Sequence, residues 1–219
     1  MIDDEDVEAW YNFPNDRNFF NKLWLADQLG HKCGPGGIPV PDAGTYIVRP
    51  TYNLAGMGVG AKKMELSPEE WNTGAVPAGY FWCEWFEGEH LSLDYVREGR
   101  FGKMNWSLVR CYRGEKRGFE FDRWDRVDIS DWGSWKVPSI LVNPLWYEMS
   151  ASKLNLETIG GRVIEAHFRH GFDHMEQYET IYPIFKEFTF DKPKGFTWIE
   201  GPATGYGQLD NPRLGYWVK

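Results

Sequence analysis

Cysteine is scarce in this chain of 219 residues. Cys33, Cys83 and Cys111 are odd in number and widely spaced, which excludes a disulfide framework and suits reduced, buried thiols. No apolar run approaches the roughly 20 residues that a membrane-spanning helix needs. The first ten residues, MIDDEDVEAW, are acidic and lack the basic and apolar lead of a secretory signal. Together these absences predict a cytoplasmic location without a membrane partner. Basic residues are the minority, 24 Lys and Arg against 32 Asp and Glu, for a net charge of -8. That balance argues against duplex nucleic acid, whose phosphates call for clustered Lys and Arg. Internal repeats and low-complexity segments are also missing.

Hydrophobic residues make up 42% of the chain and aromatic residues 17%, so it is globular, as one domain or as two small lobes sharing a core. Twelve tryptophans supply core and interface filling, or stacking platforms. Against the acidic background, Tyr46 to Leu66 (YIVRPTYNLAGMGVGAKKMEL) stands out, with no acidic residue from Tyr46 through Met64. Two strand-like runs flank Gly56, Gly58 and Gly60, which reads as a hairpin with a pliable tip. Alternate glycines can take positive φ and turn several amide N–H groups towards one anion. Arg49, Lys62 and Lys63 add fixed positive charge beside them. The loop is therefore either a flap over phosphates or an ordinary surface hairpin. It is not a GxxxxGK[ST] loop, because no Lys-Ser or Lys-Thr follows its glycines.

In chain order, residues 1 to 15 read as an acidic, then aromatic, capping segment. Asp16 to Leu29 has helical spacing with Gly30 as its stop. A Gly/Pro loop covers Cys33 to Gly44, and Ser67 to Trp71 is a helix start with proline first. Tyr80 to Phe86, His90 to Val96 and the region around WSLVRCYRG read as strands. Phe121 to Gly133 reads as a loop with short helix, and Pro138 to Pro144 is ambiguous. Leu154 to Ile159 and Val163 to Phe168, joined through Gly160-Gly161, form a second hairpin. Asp173 to Lys186 reads as a helix bent by Pro183, and the tail from Phe188 shows little pattern. The expected division is a cap over 1–45, a core over 46–187 and a tail over 188–219.

Register decides what the second hairpin can do. A three-residue turn, Gly160-Gly161-Arg162, places Glu157 opposite Glu165 and Asn155 opposite His167, all on one face with Arg169. A two-residue turn shifts the pairing by one and separates them. Facing carboxylates repel unless a cation lies between them, so Glu165→Gln is expected to hold or slightly raise stability without metal. Glutamate, asparagine and histidine donors suit Mg²⁺ or Mn²⁺, with Arg169 free to hold a phosphate. The other reading leaves this face in solvent. His167, His170 and His174 have a helical zinc spacing, but Gly171 interrupts it.

In this order the elements resemble the ATP-grasp superfamily. Arg49-Pro50 stands where that family has Lys-Pro, and NLAGMGVGA is similar to its glycine loop. CEWFEGEHLSLD resembles its acidic hinge and following strand, and VIEAHFR its E-x-N-x-R strand. The likeness runs from about Leu23 to Gly171. It implies an α+β fold with nucleotide held between two antiparallel sheets. By the same resemblance, Arg49 contacts the α-phosphate, Gly56, Gly58 and Gly60 close over the β- and γ-phosphates, and Lys62 gives a weaker contact. Glu84, Trp85 and Phe86 are implied as the adenine hinge, His90 as the ribose contact and Arg169 as the catalytic arginine. Glu165 and His167 are implied as metal ligands, joined by Glu157 or Asn155. His167 replaces the usual asparagine, which leans from Mg²⁺ towards Mn²⁺.

The resemblance implies an ATP-dependent ligase that joins a carboxylate to an amine through an acyl phosphate, with ATP and Mg²⁺ as cofactors and small-molecule or peptide substrates. The alternative is a nucleotide-binding or interaction protein without turnover. A carbohydrate-binding or hydrolytic protein, built on tryptophans and on Glu84, Glu87 and Glu89, leaves the glycine loop and Arg169 unused.

Overall fold

The first of two sheets is made by β1 (Cys33–Pro35), β2 (Gly44–Pro50), β3 (Lys62–Leu66) and β4 (Tyr80–Glu84), all antiparallel and ordered β1-β4-β2-β3. The structure is a computed structural model and describes residues 5–52, 58–70, 74–98, 105–130, 151–171, 173–186, 192–201 and 213–219. Alternation sorts the side chains of this sheet. Tyr46 and Val48 pack with Trp82, Leu66 and Val40 on one face. Ile47 and Cys83 lie on the other, in a cluster with Ala26, Phe81 and Phe86. Ile159 and Ile164 of the second sheet join that cluster, so the two sheets share apolar contact.

The second sheet has eight antiparallel strands. They are β5 (His90–Glu98), β6 (Asn105–Arg117), β7 (Glu120–Arg126), β8 (Lys153–Ile159), β9 (Arg162–His167), β10 (Thr180–Phe185), β11 (Thr197–Glu200) and β12 (Arg213–Val218). Their order is β11-β12-β10-β7-β6-β5-β8-β9. Leu91 and Leu93 of β5, and Leu154 and Leu156 of β8, face a core closed by Phe19, Phe20, Leu25 and Phe168. Burying each leucine contributes roughly 1.5–3 kcal/mol. The opposite face of the same strands carries His90, Ser92, Asp94, Asn155 and Glu157. Helices α1 (Glu5–Asn12) and α2 (Lys22–Gln28) precede the sheets, with a 3-10 helix at Pro14–Phe20.

The two antiparallel sheets and the α+β class agree with expectation, and several local readings do not. The single helix over Asp16 to Leu29 is broken at Asn21, where ψ is 100° and the side chain caps Trp24 N–H at 2.9 Å. The segment read as loop and short helix contains β7. The segment read as a helix from Asp173 gives turns and then β10. Thr180, Ile181, Tyr182, Ile184 and Phe185 are strand formers, and β7 pairs only with Thr180 and Ile181, so Pro183 interrupts no ladder on that side. The tail contributes β11 and β12. Pro138 to Pro144 and Gly56 lie outside the described residues.

The second hairpin reaches its expected pairing by an unexpected route. Ile159 pairs with Arg162, which is a two-residue turn through Gly160 (φ 55°) and Gly161 (φ 78°). The register then shifts between Glu157 and Thr158, leaving Ile164 as an extra residue. Beyond that bulge Glu157 pairs with Glu165 and Asn155 with His167. Among the described residues, no helix is long and apolar enough to cross a membrane.

Candidate functional site

Glu84 to Gly88 carries the chain from the first sheet to the second, and a cavity of about 520 Å³ opens where the sheets meet. Ile47, Arg49, Cys83 and Lys63 line it from the first sheet, with Gly58, Val59 and Ala61 at the hairpin tip. His90, Gly114, Lys116, Phe121, Glu157 and Glu165 line it from the second. Gly58 (φ 63°) and Gly60 (φ 79°) take the positive φ foreseen for them, and a Cβ on Gly58 would meet Phe119 Cβ at 2.7 Å. The tip thus touches the β6–β7 turn across the cleft.

The connecting segment forms the cavity's apolar end, with Trp85 and Phe86 on its wall. Trp85 N–H donates to Thr45 O at 3.3 Å and Glu84 N–H to Lys32 O at 2.9 Å, so these two backbone donors are already engaged. Lys63 Nζ lies 4.4 Å from the Trp85 ring. Lys62 is exposed and is not among the residues lining the cavity, so the alternation of β3 presents Lys63 in its place. Gly88 (φ 120°) sits against the second hairpin, where an added Cβ would meet Gly160 Cα at 2.7 Å.

At the polar end, ligand atoms of Glu157, Glu165 and His167 lie within 4.8 Å of one another, as a metal site requires. Each is already engaged. His90 Nε2 is 3.1 Å from Glu157 Oε2. Lys22 Nζ donates to Glu165 Oε1, and Arg49 Nη1 is 3.4 Å from the same oxygen. His167 lies between Glu165 Oε2 at 3.3 Å and Asp6 Oδ2 at 3.2 Å. Burial lowers the His167 pKa, but Asp6 and Glu165 more than offset this and raise it to about 9. A protonated imidazole has no lone pair for a metal. Burial pushes the Glu165 pKa up, while Lys22, His167 and Arg49 bring it well below the usual range. For Glu157, the hydrogen bond with His90 overcomes burial and lowers the pKa. A three-donor metal site therefore does not fit these side chains as they are arranged.

Two of the expected residues are committed elsewhere. Arg169 donates to Asp6 Oδ2 from Nε at 2.9 Å and to His170 O at 3.0 Å, and it is not among the cavity's lining residues. Asn155 Nδ2 donates to Ser92 Oγ at 2.8 Å and Asp94 Oδ1 at 2.9 Å. Asp94, fully buried, also accepts from Gly171 N–H at 2.7 Å and pairs with His174 at 2.8 Å. His174 thus braces the core, and the zinc spacing marks no metal site.

Other groups in the cleft were not singled out from the sequence. Lys22 is 8% exposed and lines the cavity. Its one sequence signal is a charge at the spacing of buried Leu25 and Ala26. Lys116 lies 4.5 Å from the Phe121 ring; desolvation lowers its pKa and Glu157 and Glu165 oppose that, while part of the side chain still reaches solvent. Asp6 comes from the segment read only as a cap. Two buried atoms of the cleft, Arg49 Nε and His90 Nδ1, have no hydrogen-bond partner among the described residues. Burial lowers the His90 pKa, so the ring is neutral near pH 7. With Nε2–H given to Glu157, Nδ1 is a bare acceptor.

No family model and no curated protein matches the chain. Solved structures do. An N5-carboxyaminoimidazole synthetase from Staphylococcus aureus complexed with ADP matches with a TM-score of 0.56 at 13% identity, over 92% of this chain and 67% of that one. An N5-carboxyaminoimidazole ribonucleotide synthetase from Thermus thermophilus matches with a TM-score of 0.54 at 14% identity, over 100% of this chain and 75% of that one. The chain spans 46% of the length of an ATP-grasp superfamily protein from Archaeoglobus fulgidus, with a TM-score of 0.39 at 14% identity and 69% of this chain covered. Two antiparallel sheets closing on a cleft, joined through Glu84 to Gly88 and similar to the first two of these structures over 92% and 100% of this chain, give it the ATP-grasp fold.

Proposed function

We propose that the cleft binds ATP and that the protein is an ATP-dependent ligase joining a carboxylate to an amine. The observation that carries this reading is the cavity itself. It sets an apolar slot at Trp85 and Phe86 beside the bare acceptor of His90 and the cations Arg49, Lys63 and Lys116. Its volume lies in the range of small-molecule sites. Adenine fits the slot, and a ribose hydroxyl can donate to His90 Nδ1. The phosphates lie towards Arg49, whose unpartnered Nε is a waiting donor. The similar Staphylococcus aureus structure is complexed with ADP, which supports the placement by fold alone.

In the proposed reaction a substrate carboxylate oxygen attacks the γ-phosphorus, the bond to the β–γ bridging oxygen breaks, and ADP leaves with the electron pair. The amine nitrogen then attacks the acyl carbon, phosphate departs, and the amine gives up a proton. The protein's part is positioning and charge neutralisation, by Arg49, Lys116 and the amides around Gly58 and Gly60. A divalent cation, when bound, would neutralise phosphate oxygens. The side chains that would hold it, Glu157, Glu165 and His167, are engaged with other side chains.

Thermal unfolding with ATP or ADP, in Mg²⁺, Mn²⁺ or EDTA, tests the binding. A nucleotide about a hundredfold above its dissociation constant adds roughly 2.7 kcal/mol of stability. An unmoved melting temperature in every condition at millimolar nucleotide sinks the reading. ADP release with candidate carboxylates and amines then tests turnover. A second reading, nucleotide binding without turnover, is favoured by one observation: Arg169 is held by Asp6 instead of lining the cavity.

A further inference from the structure

At one end of the second sheet, three neighbouring strands turn large rings away from the core. Ile181, Tyr216 and Val218 pack inward with Tyr112 and Trp124. Alternation puts the residues between them on the other face, where Trp217 of β12 is the cross-strand partner of both Trp198 of β11 and Tyr182 of β10. These three rings are half-buried, and among the described residues none of them joins a buried apolar cluster or lines the cleft between the sheets. Trp198 and Trp217 have ring centroids 5.0 Å apart, and Phe196 extends the row 5.4 Å from Tyr182. Gly215 makes the arrangement possible. An added Cβ there would come within 2.4 Å of Trp198 Cζ2 and 2.7 Å of Cη2, so the missing side chain lets the indole lie down against β12. Neighbouring strands are about 4.8 Å apart, so the row from Trp198 to Tyr182 spans about 10 Å, room for two or three stacked bases.

Charge separates this face from the rest of the molecule. The chain carries a net charge of -8, yet residues 180–186, 192–201 and 213–219 hold Lys186, Lys192, Lys194 and Lys219 against Glu200, with Arg213 paired to Asp173. Lys192 and Lys194 are exposed in the turn that leads into β11, and Lys192 Nζ lies 5.7 Å from the Trp217 ring centroid. Cross-strand ring pairs alone would stabilise the sheet, but they do not call for ammonium groups beside them. Ring faces next to exposed cations match a single nucleic-acid strand, which offers bases and phosphates in alternation. A duplex hides its base faces, and a neutral sugar leaves the lysines unused. Glu200 Oε1 accepts Trp198 Nε1–H at 3.1 Å, which sets a carboxylate at the edge of the row. A carboxylate repels phosphate and accepts hydroxyl protons, so its place there suits the 2′-hydroxyl of RNA.

We propose that this face of β10, β11 and β12 binds single-stranded RNA, with bases stacked on Trp198, Trp217 and Tyr182 and phosphates held by Lys192 and Lys194. The surface is separate from the cleft and does not depend on what the cleft binds.

Fluorescence anisotropy of a fluorescein-labelled oligouridylate, titrated with the full chain in excess ATP, provides the test. The expected result is saturable binding that weakens with salt, with oligodeoxyuridylate and duplex RNA binding more weakly. Trp198→Ala should weaken the oligouridylate by about 5- to 100-fold, the range for one lost stacking contact, and Trp198→Phe should recover most of that. Lys192→Ala combined with Lys194→Ala should lower the slope of log affinity against log salt by about 1.4, and it decides the question where Trp198→Ala does not fold. Glu200→Ala should bring the ribose and deoxyribose strands to equal affinity. Absence of binding at about 0.1 mM protein in low salt would overturn the proposal, as would binding untouched by Trp198→Ala. Displacement of the probe by ATP would move it to the cleft, and equal affinity of the two single strands for the wild type would overturn the assignment to RNA.

Discussion

His167 gives the sharpest test of the polar end, because its charge state decides what the hairpin face can hold. Its pKa of about 9 stands against an ordinary histidine value of 6.5. A pKa raised by folding means that the bound proton stabilises the fold. The contribution is fully present below pH 6.5 and is lost as pH rises through 9. The shift corresponds to roughly 3 kcal/mol, with more than half of it gone by pH 8. His167 is buried, so solvent screening takes little from this figure. The assay is urea unfolding at pH 6, 8 and 9.5 for the wild type and for His167→Gln. The wild type should lose stability over that range, and the variant should lose much less. Burial also raises the Cys33 pKa to about 11 and those of Cys83 and Cys111 to about 12, which costs stability in the same direction above pH 8.5. The difference between the two proteins cancels that background. Equal pH dependence in both would refute the assignment of a protonated His167 between Asp6 and Glu165.

Three further outcomes follow from the same geometry. Glu165→Gln should destabilise the ligand-free protein by about 3 kcal/mol in chemical denaturation, because it strands the buried Lys22 ammonium and Arg49. This reverses the sign expected from carboxylate repulsion alone, and unchanged stability would contradict it. Gly88→Ala should cost roughly 1–3 kcal/mol, since φ is 120° and the new Cβ meets Gly160, while Gly118→Ala, with φ 66° and open space, should cost less. Equal costs would show that the close approach to the hairpin does not matter. Lys63→Ala should weaken nucleotide binding in a titration and Lys62→Ala should not, because Lys63 alone of the two lines the cavity; the reverse order would return the contact to Lys62.

Strand alternation made much of the site legible in the sequence. Arg49, Gly58, His90, Glu157 and Glu165 line one cavity because period-two patterning and short turns fix which face a residue takes. The resemblance points to Lys62 as a weaker phosphate contact, but Lys62 and Lys63 sit side by side at the strand's start, and the pairing turns Lys63 to the cavity. Asp6 and Lys22 escaped notice because their partners lie 161 and 143 positions away, a separation that no local pattern encodes. For the same reason the sequence alone leaves Arg169 available for a phosphate, since its partner Asp6 belongs to a helix remote in sequence. The β7, β10 and β12 segments were misread because charge or proline obscures their alternation, and ladder pairing with neighbours overrides the local preference.

The bulge at Ile164 does more than correct a register. A residue without a ladder partner has a carbonyl to spare, and Ile164 O accepts Arg49 Nη2 at 2.9 Å from the other sheet. The strand gives up one rung within its own sheet and gains a crosspiece between lobes. Chain length at this point is therefore under a constraint that composition does not reveal. Deleting Ile164 would leave a regular two-residue hairpin in which Glu165 and His167 keep their partners Glu157 and Asn155, and Arg49 alone would lose its acceptor on the other sheet. A chain that drifted freely in residue type here would still have to keep its count to keep that crosspiece.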